Sequence, residues 1–325
     1  MKQSELLQLY KVVVEQTGFK EDMNNPGWMP KLGPNDYRSI LRHGTHNGKP
    51  AMLKVSPQEN LVKIAQDFIK YQKETSGKPV ICVPNILENG KIPGAEFLIQ
   101  ESSPQGVRII KNWPLATPAE KEEVARLYWE TISNFPDYDL AGEWTISDYF
   151  VMRLDKSLAA GRDYGVQTKG FISAREKDNI IKFIFINAQK LAIQPFFDHF
   201  SNTDIVKANN EYYIWESSIA PKPEAAGIAL WLWGATMYAH DIPTDQWQDE
   251  MKSWISTFKK FAPTELQADL ELKININLSE RFLSTLLLDL PLKRSPFDKL
   301  SDAEVMKARV LFRELLKDIG DFIHD

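Results

Sequence analysis

Residues 37–55 read YRSILRHGTHNGKPAMLKV, and this stretch predicts a β-hairpin at the heart of the first part of the chain. The segment Tyr37–His43 combines aromatic and β-branched side chains, which favour strands. The dipeptide Asn47-Gly48 is typical of two-residue hairpin turns, because both positions tolerate a positive φ. The segment Pro50–Val55 then predicts the partner strand.

The residues on either side of this hairpin predict further strands and one helix. Upstream, Trp28–Gly33 is an apolar stretch that ends in a Gly-Pro-Asn-Asp turn signal. Downstream, apolar side chains over residues 61–71 recur at helical spacing. Val80–Leu87 and Glu96–Glu101 predict two more strands, with a turn at residues 89–90 (Asn-Gly). The predicted order is strand, strand, strand, helix, strand, strand.

Beyond residue 113 helical patterns dominate. Thr117, Pro118 and Glu120 together predict a helix start, because they combine an N-cap, a proline in the first turn and a capping-box glutamate. Further helices are predicted at 173–191, 224–240, 244–261, 264–289 and 301–323, whereas 195–216 predicts a loop and a small hairpin. Strands early and helices late predict an α+β fold with two lobes. The smaller lobe would span residues 1–103 with a five-strand sheet and one helix, and a helical lobe would span 104–325.

Composition excludes several classes of protein. The 325 residues are 43% hydrophobic and 26% charged, so a sizeable core can form. The single cysteine, Cys82, excludes a disulfide framework and a cysteine-based metal cluster. The net charge of −5 comes without a basic stripe, which argues against nucleic-acid binding. No apolar run reaches the roughly 18 residues of a membrane span, and the N-terminus lacks a signal-peptide pattern, so we expect a cytoplasmic protein without a membrane partner.

The charges are unevenly distributed. Residues 1–102 carry 13 lysines and arginines against 11 acidic residues, while the remainder carries 26 against 33. An acidic second part would suit a cationic small molecule, although ordinary solvated surface also explains such counts.

The order of these elements and three pieces of sequence resemble the protein-kinase-like fold. The closer resemblance is to the aminoglycoside phosphotransferase and choline kinase-like group. The three pieces are AMLKV at 51–55, VPNILENG…AEFLIQESSPQG at 83–106 and FDHFSNTDIVKANNEYYIWE at 197–216. The resemblance covers about residues 28–290, and it implies binding of ATP and Mg²⁺ and phosphoryl transfer to a small hydroxylated molecule.

The first two pieces imply a nucleotide site. Lys54 takes the place of the lysine that pairs with nucleotide phosphates, and a charge within an apolar strand is costly unless it is paired. We favour Asp67 over Glu59 as its carboxylate partner. The backbone of Glu101 to Ser103 is implied to bind the adenine ring as a hinge. The alternative for Lys54 is an outward-facing strand lysine without a ligand.

The third piece departs from the pattern of the group, His-Gly-Asp-x-x-x-x-Asn. Without a gap, His199 falls on the catalytic aspartate, Asp198 on the glycine and Asp204 on the metal-binding asparagine. The later metal-binding aspartate falls on Trp215 or Glu216. Asp204 and Glu216 offer the oxygen atoms that Mg²⁺ prefers, whereas a one-residue shift would make Asp198 the base.

Three interpretations of this loop stay open. It forms an atypical working site that uses Asp198 or His199, a degenerate site that binds a ligand without turnover, or a structural element. The turn at residues 33–36 carries one glycine where a phosphate-binding loop usually has several. We therefore predict a phosphotransferase-like protein with impaired activity, and the alternative is a non-catalytic, pseudokinase-like scaffold for a protein partner.

Overall fold

The computed structural model describes residues 1–25, 27–33, 36–75, 79–102, 104, 106–136, 145–159, 163, 165, 170–214 and 218–323. It divides into an N-terminal unit, Met1–Val107 with Asp204–Ile219, and a C-terminal unit, Arg108–Thr203 with Ala220–Asp325. The predicted division placed everything after residue 103 in the second lobe. The structure differs in grouping the hairpin after residue 203 with the first unit, because its strands pair with strands of that unit.

The elements of the N-terminal unit are α1 (Gln3–Thr17), β1 (Lys20–Glu21), β2 (Lys31–Gly33), β3 (Asp36–Tyr37), β4 (Ile40–His46), β5 (Lys49–Ser56), α2 (Leu61–Glu74), β6 (Ile81–Cys82), β7 (Ile86–Ile92), β8 (Ala95–Glu101), β9 (Val107–Arg108), β11 (Ile205–Ala208) and β12 (Glu211–Ile214). Those of the C-terminal unit are α3 (Pro118–Asn134), α4 (Ile146–Leu158), α5 (Ala174–Ala188), β10 (Ile193–Phe197), β13 (Ile219–Pro223), α6 (Ala226–Met237), α7 (Thr244–Phe261), α8 (Thr264–Gln267), α9 (Leu270–Ser284) with a π-helical extension (Thr285–Asp289), a 3₁₀ turn (Phe297–Lys299) and α10 (Asp302–Ile319).

A five-stranded antiparallel sheet organises the described part of the N-terminal unit, in the order β1-β4-β5-β8-β7. Strand β5 alternates, so Leu53 and Val55 face one side while Met52 and Lys54 face the other. This alternation decides which residues line the core and which can reach a ligand.

Both faces of the sheet carry a helix. Helix α1 buries Leu6, Tyr10 and Val13 in the cluster that contains Leu53 and Phe97. Helix α2 packs on the opposite face, where its buried side chains Leu61 and Ala65 form a cluster with Leu98. The sequence prediction of a single helix in this lobe is wrong, because α1 is needed to cover the first of these faces.

Two local predictions of strands and turns are also wrong. The predicted strand Trp28–Gly33 is shortened to β2 (Lys31–Gly33), which pairs with β3 and not with the five-stranded sheet. The edge strand of that sheet is β1, and Trp28 forms an isolated bridge to Leu41. Strand β7 continues through Asn89-Gly90, and the hairpin turns at Gly94, whose φ is +87°. Gly90 serves packing instead, because a Cβ there would lie 2.9 Å from the Phe97 ring.

Aromatic side chains fill the C-terminal unit. Trp231, Trp247 and Trp254 are fully buried, whereas Tyr238 is 39% exposed. Helix α9 is buried on several sides and contacts α5 and α6. In the described part of the chain, none of the helices combines the length and the apolar character that crossing a bilayer requires.

Candidate functional site

A pocket of about 370 Å³ opens in the N-terminal unit. Its size lies in the range of small-molecule sites. The wall combines apolar and polar groups from three strands of the sheet, the segment after β1, the segment after β8 and strand β11: Asp22, Asn25, His43, Gly44, Pro50, Met52, Gln100, Glu101, Ser102, Pro104 and Val206.

Strand register explains why these side chains converge. Met52 pairs with His43 on one side and with Gln100 on the other, so all three share one face. Lys54 lies two residues further along β5 on the same face, about 7 Å from Met52 along the strand. The sheet therefore presents an apolar wall followed by a cation.

Lys54 is held by a buried carboxylate. Its Nζ lies 2.6 Å from Glu59 Oε2, and the Glu59 side chain is only 8% exposed. The other oxygen of Glu59 pairs with Arg38. Ser56 fixes the segment, because its Oγ accepts the Glu59 N–H and donates to the Arg38 carbonyl. Glu59 thus orients the Lys54 side chain through a charge-assisted hydrogen bond.

The sequence favours Asp67 over Glu59 as the partner of Lys54, and the structure shows an ion pair with Glu59. Asp67 forms an ion pair with Lys63, 3.1 Å away and one helical turn earlier on α2. Glu59 lies just before α2, where a turn rather than helical periodicity places it. A role for Asp67 in cofactor binding stays a prediction.

The predicted hinge is only partly available for a base. The Glu101 N–H donates to the Asn85 carbonyl at 2.9 Å, and the Ser102 N–H donates to the Pro50 carbonyl at 3.1 Å. The Glu101 carboxylate accepts hydrogen bonds from Asn85 Nδ2 and Lys49 Nζ, which lower its pKa. Ser103 lies outside the described residues. Neither described amide is left to donate to an adenine ring.

His43 adds a titratable group to the pocket wall. Burial lowers the pKa of its imidazole, and the nearby Asp22 only partly opposes this. Its ring lies 5.9 Å from that of Trp28. A neutral imidazole is therefore expected at pH 7, able to stack on a base or exchange one hydrogen bond with it.

The predicted base residues lie after β10 in the C-terminal unit. Phe197 is buried at the end of this strand, and Asp198 and His199 follow it. The Asp198 carboxylate forms an ion pair with Lys222 of β13, and the Lys222 Nζ lies 5.5 Å from the centre of the Tyr149 ring. Lys222 is buried while His199 is exposed. The Asp198 carboxylate, next to His199, is thus paired with Lys222.

Asn202 anchors the same loop. Its side chain is fully buried, accepts the Ile110 N–H at 2.9 Å and donates to the Ile110 carbonyl at 3.1 Å. This bidentate contact satisfies both backbone groups of one residue. Asn202 therefore holds the end of this loop against the backbone of Ile110.

Of the two predicted metal ligands, one lies within the described residues and one outside them. Asp204 is half-buried, directly before β11, and belongs to the N-terminal unit. Glu216 lies outside the described residues. The donor chemistry of Asp204 fits a Mg²⁺ ion, since carboxylate oxygen is what this ion prefers.

Three solved structures that resemble this chain in fold are an ethanolamine kinase and two antibiotic phosphotransferases. Plasmodium vivax ethanolamine kinase aligns with a TM-score of 0.53 and 13% identity, over 89% of this chain and 83% of that protein. The aminoglycoside phosphotransferase APH(3'')-Id from Streptomyces rimosus, solved with ADP and streptomycin, gives 0.51 and 10%, over 84% and 98%. Spectinomycin phosphotransferase APH(9)-Ia, solved with ADP and spectinomycin, gives 0.50 and 11%, over 97% and 96%.

The chain has the protein-kinase-like fold of the aminoglycoside phosphotransferases. At these identities the likeness is one of fold. No family model matches the sequence, and no curated protein matches it. The α+β class predicted from the sequence is confirmed, and so is its kinase-like form.

Sequence reasoning missed several residues of this kinase-like chain. His43 and Met52 face each other across the β4–β5 hairpin, and the two-residue turn at 47–48 that fixes this register was a usable signal. Lys222 carried a usable signal, because it stands in the short strand IAPKP much as Lys54 stands in AMLKV. Asn202 carried none, since asparagine is common in loops.

Proposed function

We propose that this chain binds an adenine nucleotide with Mg²⁺ in the pocket of the N-terminal unit and transfers its terminal phosphate slowly or not at all. The acceptor would be a small hydroxylated molecule. The observation that carries the proposal is the placement of Lys54 and Met52 on one face of β5, with the pocket at Met52.

The charge of Lys54 suits a phosphate group. Its ammonium has three donors, and Glu59 engages one side of it at 2.6 Å. A base seated against Met52 would place its phosphates further along the strand, toward the cation. Catalysis of phosphoryl transfer consists mostly of positioning and charge stabilisation, so such a lysine supplies one of its main parts.

The base would be held differently from the prediction. Because the amides of Glu101 and Ser102 are engaged within the unit, stacking on Met52 and His43 would contribute more than hinge donors. Weaker discrimination between adenine and other bases is the expected consequence.

The metal ion would be held by Asp204 together with Glu216. Bound Mg²⁺ would neutralise phosphate charge and order the nucleotide. Of these two ligands, the structure describes Asp204, whose carboxylate lies directly before β11.

Slow turnover follows from the loop after β10. His199 occupies the predicted position of the catalytic carboxylate, and Asp198 is paired with Lys222. A missing general base typically lowers the rate by about 10²- to 10⁴-fold. An acceptor hydroxyl would therefore be poorly activated.

A thermal-shift assay with Mg²⁺ and ATP tests the proposal. The wild-type protein should be stabilised, by about 2.7 kcal/mol when ATP exceeds its Kd a hundredfold. Lys54→Met should abolish this response. Lys54→Met also removes a cation that neutralises the buried Glu59 carboxylate. The assay is therefore repeated with Glu59→Gln alone and with both changes together.

Lys49→Met is the matched control. Lys49 is 64% exposed at the pocket edge and pairs with Glu101, so its loss should leave the ATP response intact. A wild-type protein without any ATP response contradicts the proposal.

The second candidate is a non-catalytic, pseudokinase-like scaffold for a protein partner, again in the cytoplasm. The ion pair that occupies Asp198, next to an exposed His199, favours it. Absence of both ATP stabilisation and phosphoryl transfer would select this candidate.

A further inference from the structure

A cluster of charges is enclosed in the C-terminal unit, close to the loop after β10. Arg153 of α4 donates through Nε to Glu280 of α9 at 3.3 Å, and Arg281 lies beside them. Both arginines interact electrostatically with Asp198, which pairs with Lys222. Two helices, a loop and strand β13 thus contribute to a single cluster.

Glu280 is the fixed anion of this cluster. It is almost fully buried and accepts hydrogen bonds from Arg153 Nε and from Ser284 Oγ at 2.9 Å. Burial alone would raise its pKa, but the two arginines outweigh burial and lower it. Glu280 is therefore charged at neutral pH.

Cations outnumber anions in the cluster. Arg153, Arg281 and Lys222 are opposed by the carboxylates of Asp198 and Glu280. The nearby Asp289 forms an ion pair with Arg294, 3.8 Å from Oδ1 to Nη1, so this pair leaves the balance unchanged. The balance favours an additional negative group.

Arg281 is the cation with spare hydrogen-bonding capacity. Among the residues that the structure describes, its guanidinium makes one ion pair, 3.6 Å from Nε to Glu280, and no hydrogen bond. The group lies 5.1 Å from the centre of the Trp233 ring, and its side chain is 14% exposed, so solvent reaches it. A planar guanidinium has five donors, which suits the two oxygens of a carboxylate or phosphate.

The surroundings make the charge of Arg281 costly. Burial and the neighbouring Arg153 lower its pKa, and Glu280 opposes them only in part. Trp233 donates its indole N–H to Thr285 Oγ1 at 2.7 Å, which fixes the ring against which the guanidinium lies. The donors of Arg281 are thus oriented before any ligand arrives.

We propose that Arg281, backed by Arg153 and oriented by Trp233, binds the carboxylate or phosphate group of a small molecule. This ligand chemistry is the opposite of the cationic molecule that the overall acidity of the region favours. Anion binding at this cluster does not depend on nucleotide binding. The further assignment of this anion to the molecule that accepts the phosphate rests on the proposed function.

The test is a titration followed through the Trp233 indole N–H signal in protein labelled with ¹⁵N at tryptophan. Inorganic phosphate and acetate are added separately, with chloride at matched ionic strength as the reference. Trp233→Phe identifies the signal. We expect phosphate, acetate or both to shift it, and the stronger of the two identifies the class of anion.

Arg281→Gln should weaken this binding by about 10- to 100-fold, the effect of losing hydrogen bonds to a charged group. Arg281→Lys keeps the charge without the planar fork and should bind with intermediate affinity. If the glutamine variant does not fold, the lysine variant provides the comparison. Arg175→Gln, on the exposed first turn of α5, is the control and should bind as the wild type does.

Repeating the titration in Lys54→Met separates the two proposals. Anion binding that survives there supports this site whether or not ATP binds. The proposal is overturned by a Trp233 signal that chloride shifts as strongly as phosphate and acetate. It is also overturned by no shift in the wild type at about 10 mM, ten times a weak Kd of 1 mM. Equal affinities of the wild type and folded Arg281 variants would overturn it as well.

Discussion

The pocket of the N-terminal unit and the loop after β10 in the C-terminal unit differ in how well they match the groups that the proposed function requires. The N-terminal unit has a pocket of small-molecule size at Met52 and, about 7 Å further along β5, Lys54 with its carboxylate partner Glu59. In the loop, His199 stands at the position predicted for the catalytic carboxylate, and the neighbouring Asp198 is paired with Lys222.

The difference has a physical cause. The pocket residues belong to strands whose opposite faces form the core, so a change of register there would expose Leu53 and Phe97. The His199 side chain is exposed, so replacing it should cost little stability. Binding chemistry is therefore tied to the fold, whereas transfer chemistry can be lost without loss of structure.

The largest effect should come from restoring the loop. His199→Asp, alone or with Asp204→Asn, should raise ATP-dependent phosphorylation of small hydroxylated or aminoglycoside-like acceptors by about 10²- to 10⁴-fold. The rate of ADP formation with and without acceptor measures this, and His199→Asn is the control of similar size. Robust native turnover that disappears only in Asp198→Ala would show that Asp198 is the base.

The next effect concerns the anchor of the loop. Asn202→Ala should lower the free energy of unfolding by about 4 kcal/mol, because two buried backbone groups of Ile110 lose their partner. Urea denaturation measures the difference. Asn134→Ala removes an exposed contact to the Glu130 carbonyl and should change stability far less. Equal effects of the two changes would mean that the loop is not anchored in this way.

A third and smaller effect is the pH dependence of stability that one ion pair gives to the C-terminal unit. Glu176, in the first turn of α5, pairs with Arg313 at 2.8 Å. Burial opposes ionisation, yet Arg313 and the Ser173 cap outweigh it and lower the pKa of Glu176 to about 2. Since the pKa is depressed in the folded state, this stabilisation is present above about pH 4.5 and is lost as the pH falls toward 2.

Glu176→Gln should therefore cost up to about 3 kcal/mol at pH 7 and progressively less below pH 4. Denaturant unfolding across this pH range measures the change. Glu304→Gln is the matched control, because Glu304 caps α10 through Ser301 in the same way but is exposed and lacks the arginine. A cost for Glu176→Gln that does not vary with pH would exclude the ion pair as its source.

Much of the fold followed from local signals. The Asn-Gly turn at residues 47–48 and the capping box at Thr117 both lie where the structure has a hairpin and a helix start. Asn89-Gly90 failed as a turn, because the small size of Gly90 serves the packing of Phe97 instead. A tight turn and a closely packed strand both favour glycine, so the sequence alone does not show which of the two Gly90 serves.

The site was less accessible to sequence reasoning. Lys54 could be proposed because a lysine within an apolar strand requires a partner. Its described partner Glu59 lies in a turn, where periodicity gives no information. The cluster around Arg281 joins residues from α4 and α9, far apart in the chain, and only packing brings them together.

The central claim is that a nucleotide occupies the pocket at Met52, and methionine methyl NMR tests it most directly. Protein labelled with ¹³C at the methionine methyl groups is titrated with Mg²⁺ and ATP, and Met52→Leu identifies the pocket signal. We predict a saturable shift of Met52, which is 4% exposed and lines the pocket, and none of Met306, which is 43% exposed on α10. A Met52 signal that stays unchanged at saturating ATP would contradict the account.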